Sequence, residues 1–110
     1  MGYTNYWHQH NDFTDEQWNK IKDEYENYVK PLAGNEIKDN SDANNIIFDG
    51  GCETFVLSKF SEKEPDRRYK EQDLSFHFCK TRMDKYDIYV WYLLTYINRL
   101  CSDFSISRDR

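Results

Sequence analysis

The chain has 110 residues, 32% of them charged, and a formal net charge of −5, a size that suits one domain with its own core. The negative balance speaks against the basic footprint that nucleic acid or an anionic membrane requires, and no run of 18 apolar residues is present to cross a bilayer. Mean hydropathy is low, yet nine Tyr, seven Phe and three Trp supply an aromatic core beneath a polar skin.

Residues 1–12, polar and aromatic, read as an irregular N-terminal arm of a single domain spanning 1–110. They lack the apolar centre of a secretory signal, and Tyr6 stands where N-myristoylation wants Ser or Thr. His8, His10 and nearby Asp12 offer metal-ligand chemistry, but no further ligands cluster with them, so no metal and no cofactor is expected. Cys52, Cys79 and Cys101 make an odd number with no zinc spacing. This points to reduced thiols and an intracellular, cytoplasmic setting.

A first helix opens at Thr14, with Gln17 completing a capping box and Asp15 and Glu16 in the turn where the dipole favours acids. Phe13 is placed to staple onto Trp18. Trp18, Ile21, Tyr25 and Val29 form one apolar stripe, and the side opposite is assigned to Lys, Asp and Glu. Pro31 is expected to close the helix and Gly34 to turn the chain. Residues 35–45, rich in Asn and Asp, read as a loop.

Ile46, Ile47 and Phe48 form a short strand, and Asp49-Gly50-Gly51 turns it into a returning strand over 54–60. Phe55 and Leu57 share one face, with Val56 on the other. Residues 61–73 carry both charge signs and Pro65, as a solvated loop does; within it Arg67, Arg68 and Lys70 surround Tyr69, a weak nucleic-acid pattern that flanking acids offset. The next strand, 74–80, alternates, with Leu74, Phe76 and Phe78 expected on the covered face and Ser75, His77 and Cys79 on the other. His77 and Cys79 share a side, as thiol catalysis asks, without sign of a cleft that would lower the thiol pKa.

Thr81 and Asp84 are placed to cap a second helix that runs to about residue 100, and residues 104–107 form a last strand. The resulting order αβββαβ defines an α+β domain: a mostly antiparallel sheet of three to four strands with two helices. On the second helix Tyr86, Val90, Leu93, Ile97 and Leu100 form the core face, widened by Met83, Leu94 and Cys101. Ile88, Trp91 and Tyr92 lie on the far side. Either another part of the chain covers them, or they form an exposed patch of the residue types that binding sites favour. Lys80, Thr81, Arg82 and Lys85 surround the helix start, where free N–H groups receive anions; the competing reading has Thr81 and Asp84 satisfy that end themselves. No phosphate-binding loop, dinucleotide glycine pattern or hydrolase signature is present.

Glu53-Thr54-Phe55, then Phe76, Phe78, Cys79, Lys80 and Thr81, then Tyr86-Asp87, and the closing SISRD resemble a group of small uncharacterised proteins of large DNA viruses and some microbial genomes. Where that pattern often has Pro before the Tyr, this chain has Lys85. The resemblance covers the second half of the chain and implies a viral setting, in the host cell or the virion, and no activity. The functional expectation is a small, non-enzymatic, intracellular interaction protein that docks a protein partner or a second copy through Ile88, Trp91 and Tyr92. The alternative is an anion- or nucleotide-binding protein, enzymes included, using Lys80, Thr81, Arg82 and Lys85.

Overall fold

The computed structural model describes residues 3–63, 73–82 and 84–109. The elements in chain order are β1 (Thr4–His8), α1 (Asp15–Glu24), a π-turn (Tyr25–Val29), α2 (Lys30–Ala33), a 3₁₀ turn (Gly34–Glu36), β2 (Lys38–Asp39), β3 (Asn45–Asp49), β4 (Phe55–Ser58), β5 (Phe76–Lys80), α3 (Asp87–Leu100) and β6 (Ser105–Asp109). The fold is α+β, with six antiparallel strands in two sheets, β5-β1-β6 and β2-β3-β4, rather than one sheet of three or four.

The largest departure is at the N-terminus. The arm expected to be irregular contains β1, the central strand of the first sheet. Its period-two pattern is hidden in sequence because Asn5 and Trp7 are buried on one side while half-buried Tyr6 and His8 occupy the other. The strand is recognisable only through its partners, with Trp7 opposite both His77 and Ile106.

That pairing also decides the face of β5, which is the reverse of the expected one. Phe76 and Phe78 are exposed, at 41% and 51%, while Ser75 and Cys79 are buried. Alternation identifies two faces but not which one meets the core. Here the inward side of β1 already carries the bulk of Trp7, so the neighbouring inward positions on β5 take His77 and the small Cys79. Phe76 and Phe78 pair across the outer face with His8 and Tyr6. Tyr6 stacks on Phe76 at 5.7 Å.

The first helix begins as expected. Thr14 accepts from the Gln17 N–H, and Gln17 reciprocates to the Thr14 N–H. Phe13 stacks on Trp18 at 5.9 Å. Pro31, however, does not end it. A π-turn precedes the proline, with the Lys30 N–H bonded to the Tyr25 carbonyl, and helix continues to Ala33. The widened turn accommodates a residue that has no N–H and whose ring crowds the carbonyl four residues back. Gly34, with φ of 55°, then turns the chain. Part of the expected loop 35–45 is β2, held by Asp39, which accepts from Tyr25 Oη at 2.7 Å and from Lys30.

The β3–β4 hairpin has the expected sides: Phe55 and Leu57 are buried and Val56 is exposed. The core is one cluster fed by both sheets and both helical runs, including Trp7, Tyr25, Phe48, Phe55, Val90, Leu93 and Ile97. At about 1.5–3 kcal/mol per fully buried large apolar side chain, this cluster is the main force holding the layers together. Within it α3 buries Val90, Leu93, Leu94 and Ile97, while Leu100 is half-buried; Met83 lies outside the described residues, as do Pro65 and residues 67–70.

Thr81 does not cap α3, which starts six residues later at Asp87 without a side-chain cap. The intervening chain makes short turns, with the Asp84 N–H bonded to the Thr81 carbonyl and the Asp87 N–H to that of Asp84. Arg82 there has a φ of 57°. The last strand runs 105–109, with Phe104 in the core rather than in the strand.

Candidate docking site on the second helix

α3 is covered on more than its core face. The three residues singled out on its far side divide between two environments. Trp91 is half-buried and packs against the core, with the Arg108 guanidinium of β6 4.7 Å from its ring centroid. It belongs to a polar clasp. Arg108 also donates to Asp87 and, through Nε, to Asn5 Oδ1 at 3.1 Å; Asp87 further accepts from Asn5 Nδ2 at 2.9 Å and from Thr81 Oγ1. Burial alone raises the Asp87 carboxyl pKa, but the hydrogen bonds from Thr81 and Asn5 and the charge of Arg108 outweigh it and hold the group below its ordinary value.

Ile88 and Tyr92, by contrast, remain exposed, Ile88 at 64%. They do not stand alone. Tyr28 of the π-turn and Leu32 of α2 face them from the first helical run, exposed at 51% and 63%. Tyr28 stacks on Tyr92 at 5.4 Å. With Val29 and Tyr89 these four side chains line an apolar cleft of about 110 Å³. Small-molecule and cofactor pockets run to about 300–1,000 Å³, so this cleft suits the anchor side chain of a larger partner.

Both tyrosines on the α3 side reach carboxylates. Tyr92 Oη donates to Glu24 at 2.5 Å and Tyr89 Oη to Glu36 at 2.7 Å. The Glu24 carboxylate, through that hydrogen bond, pushes the Tyr92 phenol up to about 12, and Glu36 raises Tyr89 in the same way.

Tyr28 and Leu32 are not legible as site residues in the sequence because Lys, Asp and Glu dominate the non-stripe side of the first helix. The usable signal was their four-residue spacing, which puts two large apolar side chains on one helical face off the main stripe.

Two of the candidate anion residues, Thr81 and Arg82, are committed to carboxylates. Thr81 is fully buried and its hydroxyl is committed to Asp87. Arg82 binds the Gly51 carbonyl at 2.7 Å and Asp84 at 3.2 Å. Lys80 projects from the outer face of β5, its backbone N–H bonded to Glu53 Oε1 at 2.6 Å, and Lys85 is exposed in the turn before α3. Asp84 and Asp87 thus bring negative charge beside the helix start that an anion would need.

His77 and Cys79 do share the inward side of β5, but burial pushes the Cys79 thiol up to about 12, which keeps it protonated and unreactive. His8 Nδ1 lies 2.9 Å from Ser75 Oγ, and its ring stacks on that of His10 at 5.8 Å. Among the described residues no group of three His, Cys, Asp or Glu is placed to hold a metal ion, and no helix is long and apolar enough to cross a membrane. A larger cavity of about 220 Å³ lies beside Phe13 and Phe104; of its polar lining, Asp12 accepts from Ser61 and Lys63, and Asn11 donates to Asp103.

Glu53, Cys79, Thr81, Tyr86 and Asp87 converge on one joint. Glu53 takes the Lys80 N–H, its carbonyl accepts from Tyr86 Oη at 2.7 Å and from the Cys79 thiol, and Thr81 reaches Asp87. Their roles there are structural: they tie the end of β5 to the start of α3. Comparison of the chain with protein-family models, curated proteins and solved structures yields no match.

Proposed function

We propose that this protein is a small, non-enzymatic interaction protein that docks a protein partner through the cleft between its two helical runs. The observation that supports this reading is the contiguity of Tyr28, Leu32, Ile88 and Tyr92, four large exposed side chains brought together from separate helices. Scattered exposed apolar residues are ordinary, whereas a contiguous apolar cleft rimmed by polar groups marks an interaction site. Ile88 and Tyr92 carry the docking; Trp91 supports the helix from its other flank, under Arg108. Three free thiols, two of them buried, favour an intracellular setting.

The test is selection of short random peptides displayed against the immobilised protein. Enriched peptides are expected to lose binding to the Ile88→Asp and Leu32→Asp variants, whose melting temperatures should stay close to that of the parent because both positions are exposed. Absence of enrichment, or binding that persists in both variants, sinks the reading.

A further inference from the structure

The chemistry of the partner is written in the rim of the same cleft. On the first helical run, residues 24, 28, 32 and 36 recur every four positions and read acid, apolar, apolar, acid: Glu24, Tyr28, Leu32, Glu36. The two acids are fixed at the cleft rather than free in solvent. Glu24 Oε2 is held by Tyr92 Oη and Glu36 Oε2 by Tyr89 Oη, from the opposite wall. In each, Oε1 is engaged by no hydrogen bond among the described residues and can accept from a cation. Three neighbouring bases are engaged elsewhere: Lys20 pairs with Glu16, Lys30 turns to Asp39 and Glu26, and Arg82 pairs with Asp84; Lys85 lines a separate hollow with Tyr3 and Asp84.

A second copy of this chain is a poor occupant. A two-fold contact places a patch against itself, which would set Glu24 and Glu36 of one copy against the same acids of the other, between molecules that each carry −5. Like charges brought together at an interface cost several kcal/mol. An anionic membrane surface is disfavoured by the same sign.

Resting on the docking reading, we infer that the occupant is a segment of another protein with one or two large apolar anchors flanked on both sides by Lys or Arg. The anchor fills the Tyr28–Leu32–Ile88–Tyr92 cleft, and the flanking cations meet Glu24 and Glu36. The apolar contact supplies affinity, and the carboxylates supply register and partner choice.

The displayed-peptide selection tests this separately from the docking itself. Enriched sequences should carry Leu, Ile, Met, Phe or Trp between basic residues. A synthetic peptide made from the enriched consensus should bind the Glu24→Gln/Glu36→Gln protein roughly three- to tenfold more weakly at low salt, with the difference shrinking as salt rises. Glutamine still accepts the tyrosine hydroxyls, so the walls stay in place. If binding depends on Ile88 but the enriched flanks are neutral or acidic, or the double variant binds unchanged, the docking reading stands and the basic partner falls. Sedimentation that shows a dimer abolished by Ile88→Asp would also overturn it, by making a second copy the occupant.

Discussion

Arg108 on β6 donates to the carboxylate of Asp87 at the first residue of α3, and in doing so it locks the last strand onto the helix it follows. Both side chains are nearly buried, at 13% and 16% exposure, and Asn5 and Thr81 complete the shell. Removing one partner of such a pair strands the other charge, at about 3–5 kcal/mol. Arg108→Ala should therefore cost about 3 kcal/mol by urea denaturation, the low end because some solvent reaches the pair. Arg108→Ala/Asp87→Asn should cost less than the sum of the two single changes; simple additivity would show that the residues are not coupled. Asp87 also carries a pH signature. Its folded pKa lies below the ordinary 3.8, so its contribution is complete above that value and is lost as pH falls through the lower folded one. Asp87→Asn should flatten the acid end of the stability curve below about pH 4.

The two helical runs and the hairpin were readable because their signals are local. The capping box at Thr14 and Gln17, the Trp18–Ile21–Tyr25–Val29 stripe and the Phe55–Val56–Leu57 alternation each lie within a few residues. What escaped depended on partners distant in sequence. β1 is a strand because it lies between β5 and β6, 76 and 105 residues away by the Thr4 pairings to Lys80 and Asp109. Thr81 reads as a cap until Asn5 and Asp87 arrive to claim its side chain. The site was half legible for the same reason: Ile88 and Tyr92 show on a helical wheel, but Tyr28 and Leu32 join them only when the two helices pack.

The reversed face of β5 makes opposite demands on adjacent residues. Phe78, half exposed on the outer side and 6.1 Å from Phe76, should tolerate Phe78→Thr at a cost of about 1 kcal/mol, mostly the lost aromatic contact. Cys79 is buried against the core, so Cys79→Asp would place a charge where no cation waits and should prevent stable folding. Circular dichroism with urea titration separates the two. A Phe78→Thr loss in the 3–5 kcal/mol range typical of a core Phe truncation would mean that the outer face is covered.

Mild acid should weaken the fold through His77. Its ring stacks on Trp7 at 5.7 Å, and burial lowers its pKa below the ordinary 6.5, against the opposing pull of Glu62 and Asp73 and with the help of neighbouring His8. Once pH drops below 6.5 the unfolded chain takes up a proton that the folded chain resists, so the unfolded state gains and stability falls until the folded pKa is passed. His77→Gln should remove the part of the slope that begins as pH falls below the ordinary 6.5, while leaving the acid end, where Asp87 titrates, untouched. Urea midpoints measured across this range, in parent and variant, read the effect directly.

Gly50 is required by sterics rather than by backbone conformation, and it reports on the joint between hairpin and helix. A Cβ built there would lie 2.0 Å from Cγ and 2.3 Å from Cβ of Tyr86, both stiff parts of a side chain that is itself fully buried. Tyr86 cannot swing aside cheaply, because its hydroxyl is bonded to the carbonyls of Glu53 and Lys80. Gly50→Ala should thus cost at least the 1–3 kcal/mol or so of an overpacked core. The damage should extend to the Tyr86 anchor: near-ultraviolet circular dichroism of the tyrosines should change along with the urea midpoint. Gly34 supplies the contrast. Nothing lies within 4 Å of a Cβ placed there, but its φ of 55° with ψ of −124° disfavours a side chain, so Gly34→Ala should cost about 1–3 kcal/mol through backbone strain alone and leave the aromatic spectrum unchanged. Equal spectral effects from the two substitutions would mean that Tyr86 is not pinned by the hairpin turn.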